Sequence, residues 1–246
     1  MVKRLRIFAG PNGSGKSTFI AKVIGDATFN KFKLHNYVNA DDIEVKLNKD
    51  KGFSFNDYNI QITTTEIQNY FKLSKFSPLK LDNPMLWENF VVENNLLHIS
   101  QSLPVNSYIA ADLAEFIRQN LLKNNLSFSY ETVMSDSRKL DFLSLAKANG
   151  YKIYLYYFAT VDPEININRV ALRVAENGHN VPSEIIRKRY YSSLSNLKRC
   201  IQLSNSAFLF DNSQASILIS TISSGKYVTL ENEKIVPNWF EQYVLQ

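Results

Sequence analysis

Short apolar segments alternate with longer amphipathic segments along much of the chain. The predicted strands are residues 5–9, 37–43, 127–134, 151–160 and 207–212. The predicted helices are residues 17–24, 107–124, 139–148, 163–176 and 183–202. Repeated strand–helix units predict an α/β fold in which helices cover both faces of a mainly parallel sheet.

Two regions depart from this alternation. Residues 50–105 are rich in aromatic side chains and are interrupted by Pro78 and Pro84. We interpret residues 44–126 as a helical insertion, a lid or substrate-side subdomain, within a single domain of residues 1–246. Residues 216–236 predict a short β-rich C-terminal tail, with a turn at Gly225.

Composition narrows the classes of function. Apolar residues make up 45% of the chain and charged residues 21%, as in ordinary globular proteins. The net charge of +5 comes without runs of Lys and Arg among aromatic residues, so we do not expect nucleic-acid binding. No segment has the roughly 20 apolar residues that cross a membrane. With one cysteine, Cys200, predicted as a half-buried structural thiol, a cytoplasmic location is expected.

The segment after the first strand matches G-x-x-x-x-G-K-[ST] completely, in the strand-to-helix context that this motif requires. Glycines let successive N–H groups turn inward around an oxyanion, and the helix N-terminus adds its dipole. Lys16 reaches the β- and γ-phosphates, and the Ser17 hydroxyl is a ligand for Mg²⁺. The predicted nucleotide-binding residues are Gly10, Pro11, Asn12, Gly13, Ser14, Gly15, Lys16, Ser17 and Thr18.

Carboxylates follow the next two predicted strands. Asp41 is placed to accept a proton from a substrate hydroxyl as a general base. Alternatively, Asp41 or Asp42 caps the helix that begins near Ile43. Glu131 and Thr132 close the third strand, where Glu131 either holds the water shell of a metal or positions substrate. The alternative for Glu131 is a solvent-facing acid without a role.

Four arginines lie on the two predicted helices that flank residues 177–182. They are Arg169, Arg173, Arg187 and Arg189. Arginines in this arrangement can close over a triphosphate and offset charge on the transferring phosphoryl group. The alternative is a pair of basic, solvated helix faces. His179 is interpreted as a turn residue, because no His or Cys lies at metal-ligand spacing from it.

These motifs together resemble the zeta-toxin family of P-loop kinases, particularly its smaller "predicted ATPase" branch. The resemblance covers residues 5–213 and is carried by AGPNGSGKST, VNADDI, FSYETVMS, GYKIYLYYFAT, RVALRVAENGHNVPSEIIRKRY and FLFDNS. It implies a kinase-type parallel sheet of order 2-3-1-4-5, the cofactors ATP and Mg²⁺, and an antitoxin protein as a candidate partner.

The resemblance also assigns roles to residues. It implies that Asp41 is the catalytic aspartate, and that Arg173 and Arg187 clamp ATP with Arg189 beside them. Zeta toxins phosphorylate the 3′-hydroxyl of UDP-N-acetylglucosamine and carry E-G-T-L-R at the third strand. Here that stretch is residues 131–135, with Ser135 at the arginine position. A diphosphate loses a bidentate cationic partner, so this departure weakens the assignment of that sugar nucleotide as the substrate.

The sequence therefore predicts an ATP-dependent phosphotransferase that acts on a hydroxyl of a small molecule, such as a nucleotide sugar. The alternative is a nucleotide-gated ATPase or regulatory protein that forms no phosphorylated organic product. The chain shows neither a Walker B stretch typical of motor ATPases nor an ABC-type signature, which disfavours this alternative. An RNA-directed kinase is a third hypothesis, which the mild basicity permits and nothing else favours.

Overall fold

A computed structural model describes residues 2–25, 34–176, 180–231 and 236–246. The strands are β1 Arg4–Ala9, β2 Asn36–Val38, β3 Gly52–Ser54, β4 Phe90–Glu93, β5 Leu96–Ile99, β6 Phe128–Thr132, β7 Lys152–Ala159, β8 Ser206–Asp211, β9 Ile217–Ser223 and β10 Tyr227–Leu230. The helices are α1 Lys16–Gly25, α2 Ala40–Asp50, α3 Thr64–Leu73, α4 Ser77–Lys80, α5 Ser107–Lys123, α6 Arg138–Ala148, α7 Pro163–Ala175, α8 Ser183–Leu203 and α9 Asn238–Phe240. His179 lies outside the described residues.

The chain divides into two compact units, residues 1–33 with 129–246, and residues 34–128. The first unit contains a sheet of order β10-β9-β8-β7-β1-β6. Strands β1, β7 and β8 are parallel, with Ala9 level with Tyr157 and Ala159 level with Asp211. The predicted α/β fold is confirmed. Within this unit, strands β6, β1, β7 and β8 lie side by side in that order, which corresponds to the 3-1-4-5 part of the predicted order 2-3-1-4-5.

The β-rich tail forms the antiparallel end of this sheet. Strand β9 pairs with β8, β10 pairs with β9, and Gly225 has a positive φ of 67° in the turn between them. After this hairpin, α9 and a π-helical turn, Glu241–Leu245, end the chain with Trp239 and Phe240 buried. These helical residues follow the predicted β-rich tail of residues 216–236, and no element was predicted for them from the sequence.

The second unit combines helices with a small antiparallel sheet of order β3-β5-β4. Asn94 and Asn95 both have positive φ, 49° and 64°, and join β4 to β5 in a two-residue turn that suits the strand twist. The insertion was expected to be helical, so these strands are an addition to the prediction. The strands are only three or four residues long, and such short segments show little periodicity.

Helix α5 is the main buried element of the second unit. Its apolar face is buried throughout, at Ile109, Leu113, Phe116, Ile117 and Leu121. Asn106 caps the helix by accepting hydrogen bonds from two backbone N–H groups. Within the described ranges, no helix is long and apolar enough to cross a membrane.

Candidate active site

The phosphate-loop motif forms a tight turn between β1 and α1. Gly10, Gly13 and Gly15 have φ values of 142°, 73° and 89°, which L side chains rarely adopt. A Cβ on Gly10 would lie 2.1 Å from the Phe158 carbonyl oxygen at the end of β7. The glycines are therefore required by backbone conformation and, at Gly10, by contact with the neighbouring strand.

Lys16 is buried at the start of α1, with only 9% of its surface exposed. Its Nζ donates hydrogen bonds to the carbonyl oxygens of Gly10 and Pro11, both at 2.8 Å. These carbonyl groups offset the cost of removing an ammonium group from water. The contacts hold the lysine charge against the loop, where a phosphate oxygen would find a cation.

Ser17 and Glu131 meet although 114 residues separate them in the chain. The Ser17 hydroxyl donates a 2.9 Å hydrogen bond to Glu131 Oε2. A hydroxyl and a carboxylate are the oxygen ligands that Mg²⁺ accepts, and Mg²⁺ usually keeps several waters, so few protein ligands suffice. The described residues contain no cluster of three or more His, Cys, Asp or Glu side chains that could hold a metal ion. The donor set fits a hydrated magnesium ion better than a metal held entirely by protein side chains.

Thr132, the last residue of β6, makes two hydrogen bonds next to Glu131. Its carbonyl oxygen accepts a 3.3 Å hydrogen bond from the Gly10 N–H, which ties β6 to the phosphate loop. Its hydroxyl accepts one from the Met134 N–H at 3.1 Å, in a turn where Met134 has a φ of 58°. Thr132 thus shapes the turn that follows Glu131, and its predicted substrate contact stays a prediction.

The four arginines are in different environments. Arg187 forms an ion pair with Glu164, and both side chains are half exposed. Arg169 donates to the carbonyl oxygens of Asn212 and Ser213, at 2.7 and 3.2 Å, so its guanidinium braces the turn after β8. Arg173 is half-buried on α7.

Arg189 differs from these three. It is half-buried on α8 and makes no hydrogen bond or ion pair within the part of the chain that the structure describes. Val170 of α7 packs with Val181 and Ile186 in one apolar cluster, which joins the two arginine-bearing helices. The roles of Arg173, Arg187 and Arg189 toward ATP stay predictions.

Asp41 belongs to the second unit, in the first turn of α2. The cap of this helix is Asn39, whose side chain accepts a 2.9 Å hydrogen bond from the Asp41 N–H. The capping role considered for Asp41 or Asp42 is therefore filled by Asn39. The Asp41 carboxylate is exposed and accepts no hydrogen bond from the residues that the structure describes.

Two asparagines contact the phosphate loop and were missed by the motif. Asn166 of α7 donates to the Asn12 carbonyl oxygen at 2.6 Å, and Asn212, after β8, donates to the Ser14 carbonyl oxygen at 2.7 Å. For Asn212, the sequence did contain an indication: the residue directly follows an apolar strand, and parallel strands bring their carboxyl ends to one edge of a sheet, where ligands bind. Asn166 lies inside an amphipathic helix, where the sequence carries no such signal.

Cys200 is buried completely in α8, deeper than the half-buried position expected from the sequence. Burial raises the pKa of its thiol to about 12. A nucleophilic cysteine needs a lowered pKa and access to solvent. The side chain is a structural part of the core.

Comparisons with known proteins agree with this architecture. The zeta toxin family model matches residues 102–220. An uncharacterised Haemophilus influenzae protein is 30% identical over 69 residues, which are 28% of this chain and 49% of that protein. This match therefore spans about half the length of the Haemophilus protein.

Solved structures are similar over almost the whole chain. The AvrRxo1-ORF1:ORF2 complex is 15% identical, with a TM-score of 0.59 over 98% of this chain and 63% of the other. Its ATP complex is 14% identical, with a TM-score of 0.55. The PezAT toxin–antitoxin system of Streptococcus pneumoniae is 13% identical, with a TM-score of 0.51 over 99% and 79%. The chain spans less than two thirds of the AvrRxo1-ORF1:ORF2 relatives. The predicted resemblance is confirmed: residues 102–220 match the zeta toxin family model, and the chain has an α/β fold similar to those of the AvrRxo1-ORF1:ORF2 and PezAT structures.

Proposed function

We propose that this chain is an ATP-dependent phosphotransferase that moves the γ-phosphate of ATP to a hydroxyl group of a small molecule. The observation that carries the proposal is the hydrogen bond from Ser17 to Glu131, beside the buried Lys16. It brings the Glu131 carboxylate of β6 to the Ser17 hydroxyl of the phosphate loop, next to Lys16, and a hydroxyl, a carboxylate and a cation are groups that phosphoryl transfer uses. An AvrRxo1 structure contains ATP, which supports the same ligand here.

In the proposed reaction, Asp41 takes the proton of the acceptor hydroxyl, whose oxygen forms a bond to the γ-phosphorus. The bond from that phosphorus to the bridging oxygen breaks, and ADP leaves. Lys16 offsets charge on the phosphates, and Arg173, Arg187 and Arg189 offset charge on the transferring group. Ser17 would hold Mg²⁺, with Glu131 beside its water shell, and the bound ion would supply further neutralisation of the phosphate charge.

The acceptor is proposed only as a hydroxyl compound, with nucleotide sugars as one class. The segment after Glu131 has Val133 and Ser135 where the family's sugar-nucleotide kinases carry Thr and Arg. A protein partner is also proposed, because two similar solved structures are a two-component complex and a toxin–antitoxin system. An antitoxin-like protein is the corresponding partner for this chain.

The proposal is tested by incubating the purified protein with γ-labelled ATP and an extract of cell metabolites. We expect label in an organic product that chromatography separates from free phosphate. Label that appears only as inorganic phosphate would favour the alternative of a nucleotide-gated ATPase.

Asp41→Asn tests the proposed base in the same assay. Removing a general base is expected to lower turnover on the order of 10²–10⁴-fold. Binding of ATP should change little, because the base acts on the acceptor. Asp42→Asn is the matched control, since it removes the same charge one residue along α2. Equal turnover in the Asp41→Asn variant and the native protein would show that Asp41 is not the base.

A further inference from the structure

Each of the two asparagines contacts the phosphate loop at a carbonyl oxygen and at the glycine that follows it. Asn166 bonds to the Asn12 carbonyl oxygen, and a Cβ on Gly13 would lie 2.5 Å from the Asn166 carbonyl oxygen. Asn212 makes the same kind of contacts two residues further along the loop. It bonds to the Ser14 carbonyl oxygen, and a Cβ on Gly15 would lie 1.9 Å from Asn212 Nδ2. The two glycines thus leave the space that the two asparagines fill.

These hydrogen bonds to carbonyl oxygens also fix the directions of the Gly13 and Gly15 N–H groups, because of the geometry of the peptide bond. In a trans peptide, the C=O of one residue and the N–H of the next point in opposite directions. A hydrogen bond that holds the Asn12 carbonyl toward Asn166 therefore aims the Gly13 N–H away from Asn166. The bond from Asn212 to Ser14 does the same for the Gly15 N–H. Neither N–H donates to another group within the described part of the chain.

Both asparagines are themselves fixed. Thr160, at the end of β7, donates its hydroxyl hydrogen to Asn166 Oδ1, which leaves Asn166 Nδ2 to face the loop. The Tyr190 hydroxyl of α8 in turn donates to the Thr160 carbonyl oxygen at 2.5 Å. Asn166 and Thr160 are fully buried, so water does not compete for these bonds.

Asn212 is held through its backbone. Its N–H donates to the Ala159 carbonyl oxygen at 2.8 Å, and its carbonyl oxygen accepts from Arg169 at 2.7 Å. Arg169 therefore has a place in this arrangement that does not require contact with ATP.

We propose that Asn166 and Asn212 are positioning residues, which preset the Gly13 and Gly15 N–H groups for the phosphates of the nucleotide. Thr160 and Arg169 support them. The inference rests on the proposed function as a nucleotide-binding protein. It goes further, because it states that side chains outside the phosphate-loop motif set the directions of the N–H groups that would bind the anion. A preset set of donors reduces the ordering that binding would otherwise require.

The test uses Asn166→Ala and Asn212→Ala in the full chain. Backbone amide signals of Gly13 and Gly15 are followed by NMR without ligand, and binding of ATP and of pyrophosphate is measured by calorimetry. We expect the Gly13 signal to move mainly in Asn166→Ala and the Gly15 signal mainly in Asn212→Ala. Each variant should weaken binding of both ligands about tenfold, as for a lost hydrogen bond at the site.

Asn205→Ala is the matched control. The Asn205 side chain accepts a 2.8 Å hydrogen bond from the Ile153 N–H near the start of β7, at the opposite end of that strand from the phosphate loop. It should lower stability without changing either glycine signal or the affinity for ATP. Asn212 is half exposed, so its variant tests the inference even if Asn166→Ala does not fold.

The outcomes separate the two proposals. If the native protein binds neither ATP nor pyrophosphate, the proposed function is wrong, while the glycine signals still decide whether the asparagines shape the loop. If the native protein binds ATP and Asn212→Ala binds it within about twofold with an unmoved Gly15 signal, the positioning role is wrong.

Discussion

Lys16 carries a charge in a buried position, and its Nζ donates hydrogen bonds to two backbone carbonyl oxygens of the phosphate loop. Carbonyl oxygens are weaker partners for an ammonium group than phosphate oxygens, because they carry no net charge. On the proposed function, a phosphate that enters the loop therefore offers the Lys16 ammonium group a stronger partner than these carbonyl oxygens. The same side chain serves the folded loop and, on the proposed function, the bound nucleotide.

Lys16→Ala is expected to weaken ATP binding by at least about tenfold, as for the loss of a charge-assisted hydrogen bond. Turnover should fall with it, because the lysine acts on the phosphates in both states. Calorimetric titration and the labelled-ATP assay measure the two effects. Lys22→Ala removes an exposed lysine from the same helix and should change neither. Unchanged ATP affinity in Lys16→Ala would contradict the assignment.

Cys200 illustrates a buried group whose ionisation opposes folding. Its pKa is about 12 in the folded chain against 9.0 for the unperturbed thiol, so the folded state favours the neutral form. The stability that the neutral thiol contributes is present below about pH 9 and is lost as the pH rises toward about 12. Cys200→Ala should show a flatter fall of unfolding free energy across this window in denaturant titrations.

The native thiol should also resist labelling. Near about pH 8, a thiol-specific reagent is expected to react with Cys200 only as fast as the protein opens. Rapid stoichiometric labelling of the native protein, at the rate seen in denaturant, would show that the thiol is accessible.

The phosphate site is assembled by elements whose order in the sheet matters more than their order in the chain. Strands β1, β7 and β8 are parallel and end at one edge, where Gly10, Thr160 and Asn212 follow them. The loop after each strand therefore contributes to one site, as in other open α/β sheets. At Gly15, where the φ already favours glycine, close packing against Asn212 in the loop after β8 leaves no space for a Cβ.

Gly15→Ala is expected to destabilise the protein and to weaken ATP binding, because its Cβ would overlap the Asn212 amide. Gly150→Ala is the matched control, since Gly150 has a similar φ of 77° but a Cβ added there would meet no atom within 4 Å. The control should lose about 1–2 kcal/mol from backbone strain alone and bind ATP normally. Chemical denaturation and calorimetry measure both effects. Equal losses in the two variants would show that the Asn212 contact is unimportant.

At the scale of the whole molecule, the end of the chain returns to the central sheet of the first unit. The Trp239 indole N–H donates to Asp211 Oδ2 at 2.7 Å, while Asp211 Oδ1 accepts from the Ser213 N–H at 2.9 Å. Asp211 is the last residue of β8 and directly precedes Asn212. The C-terminal segment thus helps to fix the turn that contacts the phosphate loop.

Trp239→Phe should lower the free energy of unfolding by about 2 kcal/mol, because a buried carboxylate oxygen loses its donor. Trp87→Phe is the control, since the Trp87 indole N–H has no hydrogen-bond acceptor in the described part of the chain. Denaturant titration compares the two variants. A loss in Trp239→Phe no larger than in Trp87→Phe would argue against a stabilising Trp239–Asp211 bond.

Local sequence patterns were sufficient to predict much of the fold. The glycine spacing of residues 10–17 identified the turn between β1 and α1, because backbone conformation and phosphate binding both act within this short segment. Periodicity placed α5 within a residue of its observed bounds. The strands of the second unit were missed, since β3, β4 and β5 are too short to show a period.

By itself, the sequence determined the phosphate loop, the α/β class and the family resemblance, because each follows from residues close together in the chain. The tertiary structure decided which distant side chains meet that loop. Asn166 and Asn212 reach it from positions 154 and 198 residues away from their partners, and Glu131 reaches Ser17 across 114 residues. These contacts depend on strand order and register, which the packing of the whole unit sets.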